Sequence, residues 1–224
     1  LPPPIRAFDA LAANDPAKLR LAGQIATLRG WDYRWSDHSI PTTLAIYWGE
    51  ALQRAVARAA TRADMSSYDY AISRATPMER FSALSTASDT LTAHFGTWRT
   101  PWAHINRFQR LTGDIVQRFD DTAPSIPVAF PSARWGSLAS FGARPYPGTK
   151  RWYGTSGNSF VAVVEFGRDS VRARAVTAGG QNGNPVSKHF NDQAVRYATG
   201  DLRPVYFYRS QLTGHIEREY RPGQ

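Results

Sequence analysis

The first half of the chain is patterned for helices. The spacing of its apolar residues predicts four of them, from Asp15 to Gly30, Ser39 to Ala59, Thr76 to Phe95 and Thr100 to Leu111. Each start carries a capping residue followed within two positions by a proline, which is typical of a helix N-terminus. The segment from Thr76 to Glu79 has the form of a capping box. The second helix has the widest apolar stripe, and we expect that stripe to need a cover.

The pattern changes after Gly113. Prolines and glycines crowd residues 120–148, which predicts long irregular connections with a short strand near Arg134–Ser140. From Arg151 onward the chain is rich in strand-forming residues. A short helix is predicted at Asn191–Ala198, followed by strands at Pro204–Phe207 and Ile216–Tyr220. Helices first and mostly antiparallel strands afterwards indicate an α+β fold.

The chain therefore divides by texture into a helical segment (1–113), a Pro/Gly-rich connection (114–150) and a β-rich segment (151–224). We interpret these as parts of one larger domain, because the helical stripe needs another element to cover it.

Two strands near the middle of the β-rich segment form the clearest pattern in the sequence. Residues 158–166 and 171–177 are joined by a turn-forming segment, and such neighbours pair as an antiparallel hairpin. The predicted register puts Glu165 opposite Arg172, on the same face as Val161 and Val163. A carboxylate beside two valines must reach water or find a partner, because an unpaired buried charge is costly.

Composition and charge exclude several classes of protein. The net charge of +9 is spread over isolated basic residues, with Lys150-Arg151 the one adjacent pair, so we expect a solvated basic surface and no nucleic-acid partner. No apolar run approaches the roughly 20 residues of a membrane span. The absence of cysteine rules out thiolate chemistry and disulfides within the chain.

The sequence offers little chemistry of its own. There is no G-x-S-x-G elbow, and Leu1 cannot act as an N-terminal nucleophile. The Leu1–Pro4 start predicts an extended polyproline lead-in and is typical of a cut polypeptide, so we expect a fragment that is inactive by itself. His189 and Asp192 lack a second His at metal spacing; we interpret His189 as structural, with Asn191 or Asp192 as a helix cap. We expect no metal and no cofactor.

Several motifs together resemble one family. The segments GNSFVAVVEFG, GGQNGNPVSKHFNDQ and LRPVYF, preceded by LRGWD, TTLAIYWGEAL and WAHINRFQR, are similar to the C-terminal part of the β chain of penicillin-acylase-like N-terminal nucleophile (Ntn) hydrolases. The most similar subgroup comprises the acyl-homoserine-lactone, aculeacin and penicillin V acylases. Lys188 and Asn182 depart from the pattern of that subgroup.

The resemblance implies a four-layer αββα sandwich completed by the acylase α chain and the N-terminal part of the β chain. It also implies secretion, autocatalytic cleavage of a precursor, and hydrolysis of an N-acyl amide by a Ser outside this chain. In some acylases of this group a carboxylate late in the β chain orients a His near the nucleophile, and the resemblance places Glu165 at that position. The alternative role for Glu165 is a cross-strand ion pair with Arg172.

A second interpretation is a secreted binding module without catalysis. Tryptophans stand in pairs at predicted helix ends, Trp31 with Trp35 and Trp98 with Trp102, where they lock a helix end onto a core or hold a ligand. A binding module should melt cooperatively when expressed alone, whereas an acylase fragment should be insoluble or molten because its apolar faces lack their covers.

Overall fold

The computed structural model describes residues 2–221 and 223. In this part of the chain the helices are α1 (Pro2–Asp9), α2 (Pro16–Arg29), α3 (Ile40–Arg62), α4 (Ser67–Ser73), α5 (Pro77–Phe95) and α6 (Ala194–Thr199). The strands are β1 (Asn106–Phe108), β2 (Ile126–Pro127), β3 (Phe141–Pro145), β4 (Trp152–Gly157), β5 (Phe160–Phe166), β6 (Val171–Thr177) and β7 (Arg203–Val205). Short 3-10 turns occupy Trp102–His104, Ala133–Trp135 and Arg209–Leu212. The α+β class is confirmed.

The predicted capping residues begin the long helices. Asp15, Ser39 and Thr76 each accept a hydrogen bond from a backbone N–H two or three residues further on. Glu79 accepts a bond from the backbone N–H of Thr76 at 2.7 Å, which completes the capping box. Gly96 ends α5 with φ +81°, a conformation that favours glycine. Local sequence thus fixes where these helices begin and end.

The prolines at the start behave differently from the prediction. Pro2 to Pro4 lie in the first turn of α1, so the expected extended lead-in is wrong for these residues, and Leu1 lies outside the described residues. The N–H groups of a first helical turn have no intrahelical acceptor, and proline therefore loses no hydrogen bond there. A further helix, α4, was not predicted; it is short and begins at the N-cap Ser66.

The apolar stripe of α3 is covered within the chain. It packs chiefly on α5, with α1, α2 and α4 around the pair, so the expectation that this stripe lacks a cover is wrong. The side chains that are less than 2 % exposed in this helical core include Leu21, Ile25, Leu28, Leu44, Val56, Leu84 and Leu91. Each such side chain stabilises the fold by about 1.5–3 kcal/mol relative to exposure.

The first sheet has the strand order β2-β1-β4-β3, with β1 and β4 parallel and the other neighbours antiparallel. The prediction of a fourth helix at Thr100–Leu111 is wrong, because that segment forms a 3-10 turn and then β1. Asn106 explains the difference: its buried side-chain amide donates to the carbonyl oxygens of Val128 and Phe130, at 2.8 and 3.1 Å. These distant partners override the local helical pattern.

The second sheet has the order β5-β6-β7 and is antiparallel throughout. The predicted register is confirmed, with Glu165 opposite Arg172 and Val161 opposite Val176. The expected strand at Pro204–Phe207 is β7, one residue earlier and shorter, and the expected helix at Asn191–Ala198 is α6.

Two other strand predictions fail. Residues 134–140 contain the end of a 3-10 turn and a loop, and the strand itself, β3, begins at Phe141. Ser132 and Gly136 explain the shift: Ser132 caps the 3-10 turn and Gly136 ends it with φ +87°. Residues 216–220 contain no strand.

Gly49 lies in the middle of α3, where glycine costs about 1 kcal/mol relative to alanine. The reason is the Trp135 ring, which lies against the helix at this point; a Cβ atom at Gly49 would overlap that ring. The absence of a side chain at Gly49 therefore allows the segment before β3 to pack against the helical half of the chain.

We expect Gly49→Ala to lower stability by about 1–3 kcal/mol despite its better helix propensity, because the Trp135 ring must move. Thermal unfolding would measure the effect. Gly30→Ala is the matched control: its Cβ would lie 3.7 Å from the nearest atom, an ordinary contact, and little change is expected. A higher melting temperature for Gly49→Ala would contradict the packing described.

Candidate functional site

Glu165 lies on β5, on the part of the hairpin that projects beyond the core. Its cross-strand neighbour is Arg172, as predicted, but the two side chains form no ion pair within 4.0 Å, and Glu165 has no hydrogen-bond partner among the described residues. Val163, on the same face, is 58 % exposed. The structure therefore leaves this carboxylate available to a group from elsewhere.

The hairpin that carries Glu165 is uncovered over most of its area. On the face opposite Glu165, Phe160 and Phe166 are 58 % and 82 % exposed. Exposed apolar patches of this kind mark surfaces that other polypeptide covers. Only the end near Val161 and Val176 packs against a core, the second apolar cluster around Phe130 and Tyr197. This distribution fits an element that belongs between two layers.

The guanidinium of Arg110 holds the Gly/Asn-rich loop of residues 179–193. It donates to the carbonyl oxygen of Phe190 at 2.7 Å and to that of Asn182 at 3.1 Å, and it lies 4.0 Å over the Phe190 ring. Asn191 donates in return to the carbonyl oxygen of Arg110 at 2.9 Å. Two of the motifs that resemble the family, residues 102–110 and 179–193, are therefore in direct contact.

His189 pairs with Asp192, and its structural role stays a prediction. Its Nδ1 lies 2.9 Å from Oδ2 of Asp192. The prediction that Asn191 or Asp192 caps the helix is wrong: the N-cap of α6 is Gln193, without a side-chain bond. The carboxylate of Asp192 pairs with the imidazole of His189 instead. Gly180 fits tightly beneath this pair, since a Cβ atom there would overlap the carbonyl oxygen of His189.

The two departures from the family pattern both make contacts. Lys188 forms an exposed ion pair with Glu217 at 2.9 Å, and the hydrogen bond from that ammonium lowers the pKa of the Glu217 carboxyl. Asn182 accepts a hydrogen bond from the backbone N–H of Asn184 at 2.8 Å through its side chain, which shapes the turn. The Asn182 contact is local, whereas the Lys188 pair joins this loop to a residue 29 positions further along the chain.

The helix-end tryptophans mostly serve packing. Trp102 is 1 % exposed and belongs to the helical core, so it offers no platform for a ligand. Trp98 packs against Gly23 of α2, and the indole of Trp31 donates to the carbonyl oxygen of Arg34 at 2.9 Å. Trp35 is the most open of the four, at 36 % exposed. These positions favour the locking role over an aromatic binding surface.

A cleft of about 440 Å³ lies between α3, α5 and the strands β3 and β4. Its polar residues include Glu50, Arg134 and Arg144, which sequence reasoning did not identify. Glu50 lies inside the motif TTLAIYWGEAL, and its sequence context predicts only a helical position. Arg134 approaches it from a segment 84 residues further along the chain, and no local pattern reports such a pairing.

Comparison with known protein families identifies the family of this chain. A model of the family described as Penicillin amidase matches residues 4–214. The chain belongs to the penicillin amidase family, whose members are acylase-type amide hydrolases of the Ntn class. The resemblance seen in the motifs is therefore confirmed at the level of the family, while the subgroup stays a prediction. The chain matches no curated protein sequence.

Two further findings concern the described residues alone. None of their helices is both long and apolar enough to cross a membrane. Their His, Asp and Glu side chains nowhere gather in a group of three or more that could hold a metal ion.

We expect Arg110→Ala to release the 179–193 loop. Losing one hydrogen bond from a charged group costs about 1.5–3 kcal/mol, so losing both should accelerate amide hydrogen exchange in the loop by roughly 100-fold or more. Arg110→Lys should release it too, because one ammonium cannot reproduce the planar, two-bond, stacked geometry. Arg168→Ala, in the exposed hairpin turn, is the control. Unchanged protection in both Arg110 variants would contradict the role of this residue.

Proposed function

We propose that this chain is the C-terminal portion of the β chain of a secreted acylase that hydrolyses the amide bond of N-acyl substrates. The observation that carries the proposal is the match of residues 4–214 to the penicillin amidase family. The candidate substrates are an N-acyl-homoserine lactone, a lipopeptide such as aculeacin, and penicillin V. The motifs at 157–167 and 179–193 support this subgroup.

In the proposed reaction, an N-terminal Ser located outside this chain attacks the amide carbonyl. The free amine of that Ser accepts the hydroxyl proton, and the tetrahedral intermediate collapses to an acyl-enzyme as the amine product leaves with a proton. Water then attacks the ester, which releases the carboxylic acid and regenerates the Ser. The acyl-enzyme splits one difficult step into two easier ones, and no cofactor takes part.

Glu165 is the positioning residue that this chain would supply. When other layers of the sandwich cover the hairpin, a carboxylate beside Val163 must find a partner, because an unpaired buried charge is costly. An imidazole from the upstream part of the β chain would satisfy it. The carboxylate would then hold that ring in one orientation and stabilise its protonated form. The lack of an ion pair with Arg172 leaves the carboxylate free for this role.

The uncovered hairpin also supports the proposed partners, the acylase α chain and the N-terminal part of the β chain. Phe160, Val164 and Phe166 expose apolar surface on one face of a sheet whose edge strand is β5. Such a surface is stable only when covered. The helical core, in contrast, is complete within the chain.

In the full acylase we expect Glu165→Gln to lower kcat by roughly 100-fold, the lower end of what a positioned acid–base group contributes. The pH profile of kcat should shift as well, because the charged imidazole loses its stabilising partner. Precursor cleavage and the melting temperature should persist, since Gln has nearly the same shape. Steady-state kinetics across pH, with mass spectrometry of the processed chains, would measure these quantities.

Asp169→Asn provides the control for Glu165→Gln, because it removes a carboxylate from the exposed turn of the same hairpin. It should leave kcat and its pH profile unchanged. An unaltered rate and pH profile for Glu165→Gln would contradict the positioning role.

We also expect the chain expressed alone to be inactive and to bind an apolar dye through its hairpin. Co-expression with the α chain and the rest of the β chain should abolish most of the dye fluorescence, because those layers cover the sheet. Dye titration of the two preparations at equal concentration measures the difference. Equal fluorescence in both would contradict the proposed assembly.

A further inference from the structure

The cleft between the helical half and strands β3 and β4 has the size and lining of a small-molecule site. Its volume of about 440 Å³ falls within the roughly 300–1,000 Å³ typical of such sites. It is lined by aromatic rings together with a few charged side chains, which is the usual composition of a ligand pocket.

The aromatic wall of the cleft is held in place by packing. The ring of Tyr47 stacks on that of Trp152, with centroids 4.9 Å apart and planes at 22°. Trp152 in turn meets the buried Trp102 edge-on at 6.0 Å. Trp135 is fixed against α3 by the absence of a side chain at Gly49. A flat ligand would therefore meet preformed ring surfaces.

The charged wall of the cleft is predominantly basic. Arg54, Arg134 and Arg144 line it, and Glu50 is the only acidic residue among its lining residues. Glu50 lies 3.3 Å from Arg134 and 3.8 Å from Arg54, so a single carboxylate is shared by two guanidinium groups. Arg144 lies 4.9 Å over the Tyr146 ring and has no acidic partner in the described part of the chain. The local charge is therefore unbalanced toward positive.

Tyr47 adds a buried donor to this wall. It is 5 % exposed, and its hydroxyl has no hydrogen-bond partner of standard geometry among the described residues. Burial raises the pKa of the phenol, an effect that the Trp152 side chain and the Arg54 guanidinium oppose, and the group is a neutral donor at physiological pH. Leaving a buried hydroxyl unpaired is unfavourable, and an acceptor on a bound ligand would remove that cost.

We propose that this cleft binds a small aromatic carboxylate, with the ring against Trp152 and Trp135 and the carboxylate near Arg134, Arg144 and the Tyr47 hydroxyl. Guanidinium groups match the planar geometry of a carboxylate, and aromatic side chains match that of the ring. The cleft lies within this chain, and the inference rests on the proposed function through its test, which uses the full acylase. It concerns residues that play no part in the proposed amide hydrolysis.

The test is isothermal titration calorimetry of benzoate into the full acylase that contains this chain. Benzoate should bind, and three probes should each bind at least fivefold more weakly: cyclohexanecarboxylate and inorganic phosphate because they lack the flat ring, and benzamide because it lacks the charge. Equal binding of phosphate would overturn the assignment to an aromatic carboxylate.

Two variants assign the binding to the cleft. Arg144→Gln should weaken benzoate at least fivefold, whereas Arg168→Gln, in the exposed hairpin turn, should not change it. Tyr47→Phe should also weaken benzoate, and without ligand it should keep or raise the melting temperature, because the unpaired hydroxyl is removed. Undiminished benzoate binding in both Arg144→Gln and Tyr47→Phe would overturn the proposal.

Discussion

The stacking of Tyr47 on Trp152 is the contact that joins the helices of this chain to its strands. Tyr47 belongs to the apolar stripe of α3. Trp152 is the first residue of β4, and its backbone N–H donates to the carbonyl oxygen of Ile105 at 2.8 Å. The stack thus connects the helical core to the parallel pair β1 and β4. The cleft beside it lies where α3 and α5 meet β3 and β4, and the rings of Tyr47, Trp135 and Trp152 line it.

Much of the helical half could be predicted because its signals are local. Ser39 and Thr76 cap helices through bonds that span three residues, and a short stretch of sequence contains both partners. The hairpin register was equally local, since one turn fixes every pair from Glu165 to Val161. Asn106 shows where local reasoning fails: its acceptors lie 22 and 24 residues further on, and they convert an apparent helix into a strand.

The candidate site residues also differ in whether local sequence determines their neighbours. Glu165 could be found from the sequence because alternation in one strand sets its neighbours. The pairing of Glu50 with Arg134 could not, because it depends on where the segment before β3 returns to α3. The family match supplies the context in which the uncovered hairpin makes physical sense.

The contacts of Arg110 also have a kinetic consequence. The guanidinium joins carbonyl groups 72 and 80 residues further along the chain, so it can engage them only after the whole intervening sequence has been synthesised and ordered. Closing so large a loop carries an entropic cost that must be met before the contact stabilises anything. We therefore expect order in that distant loop to appear late in folding.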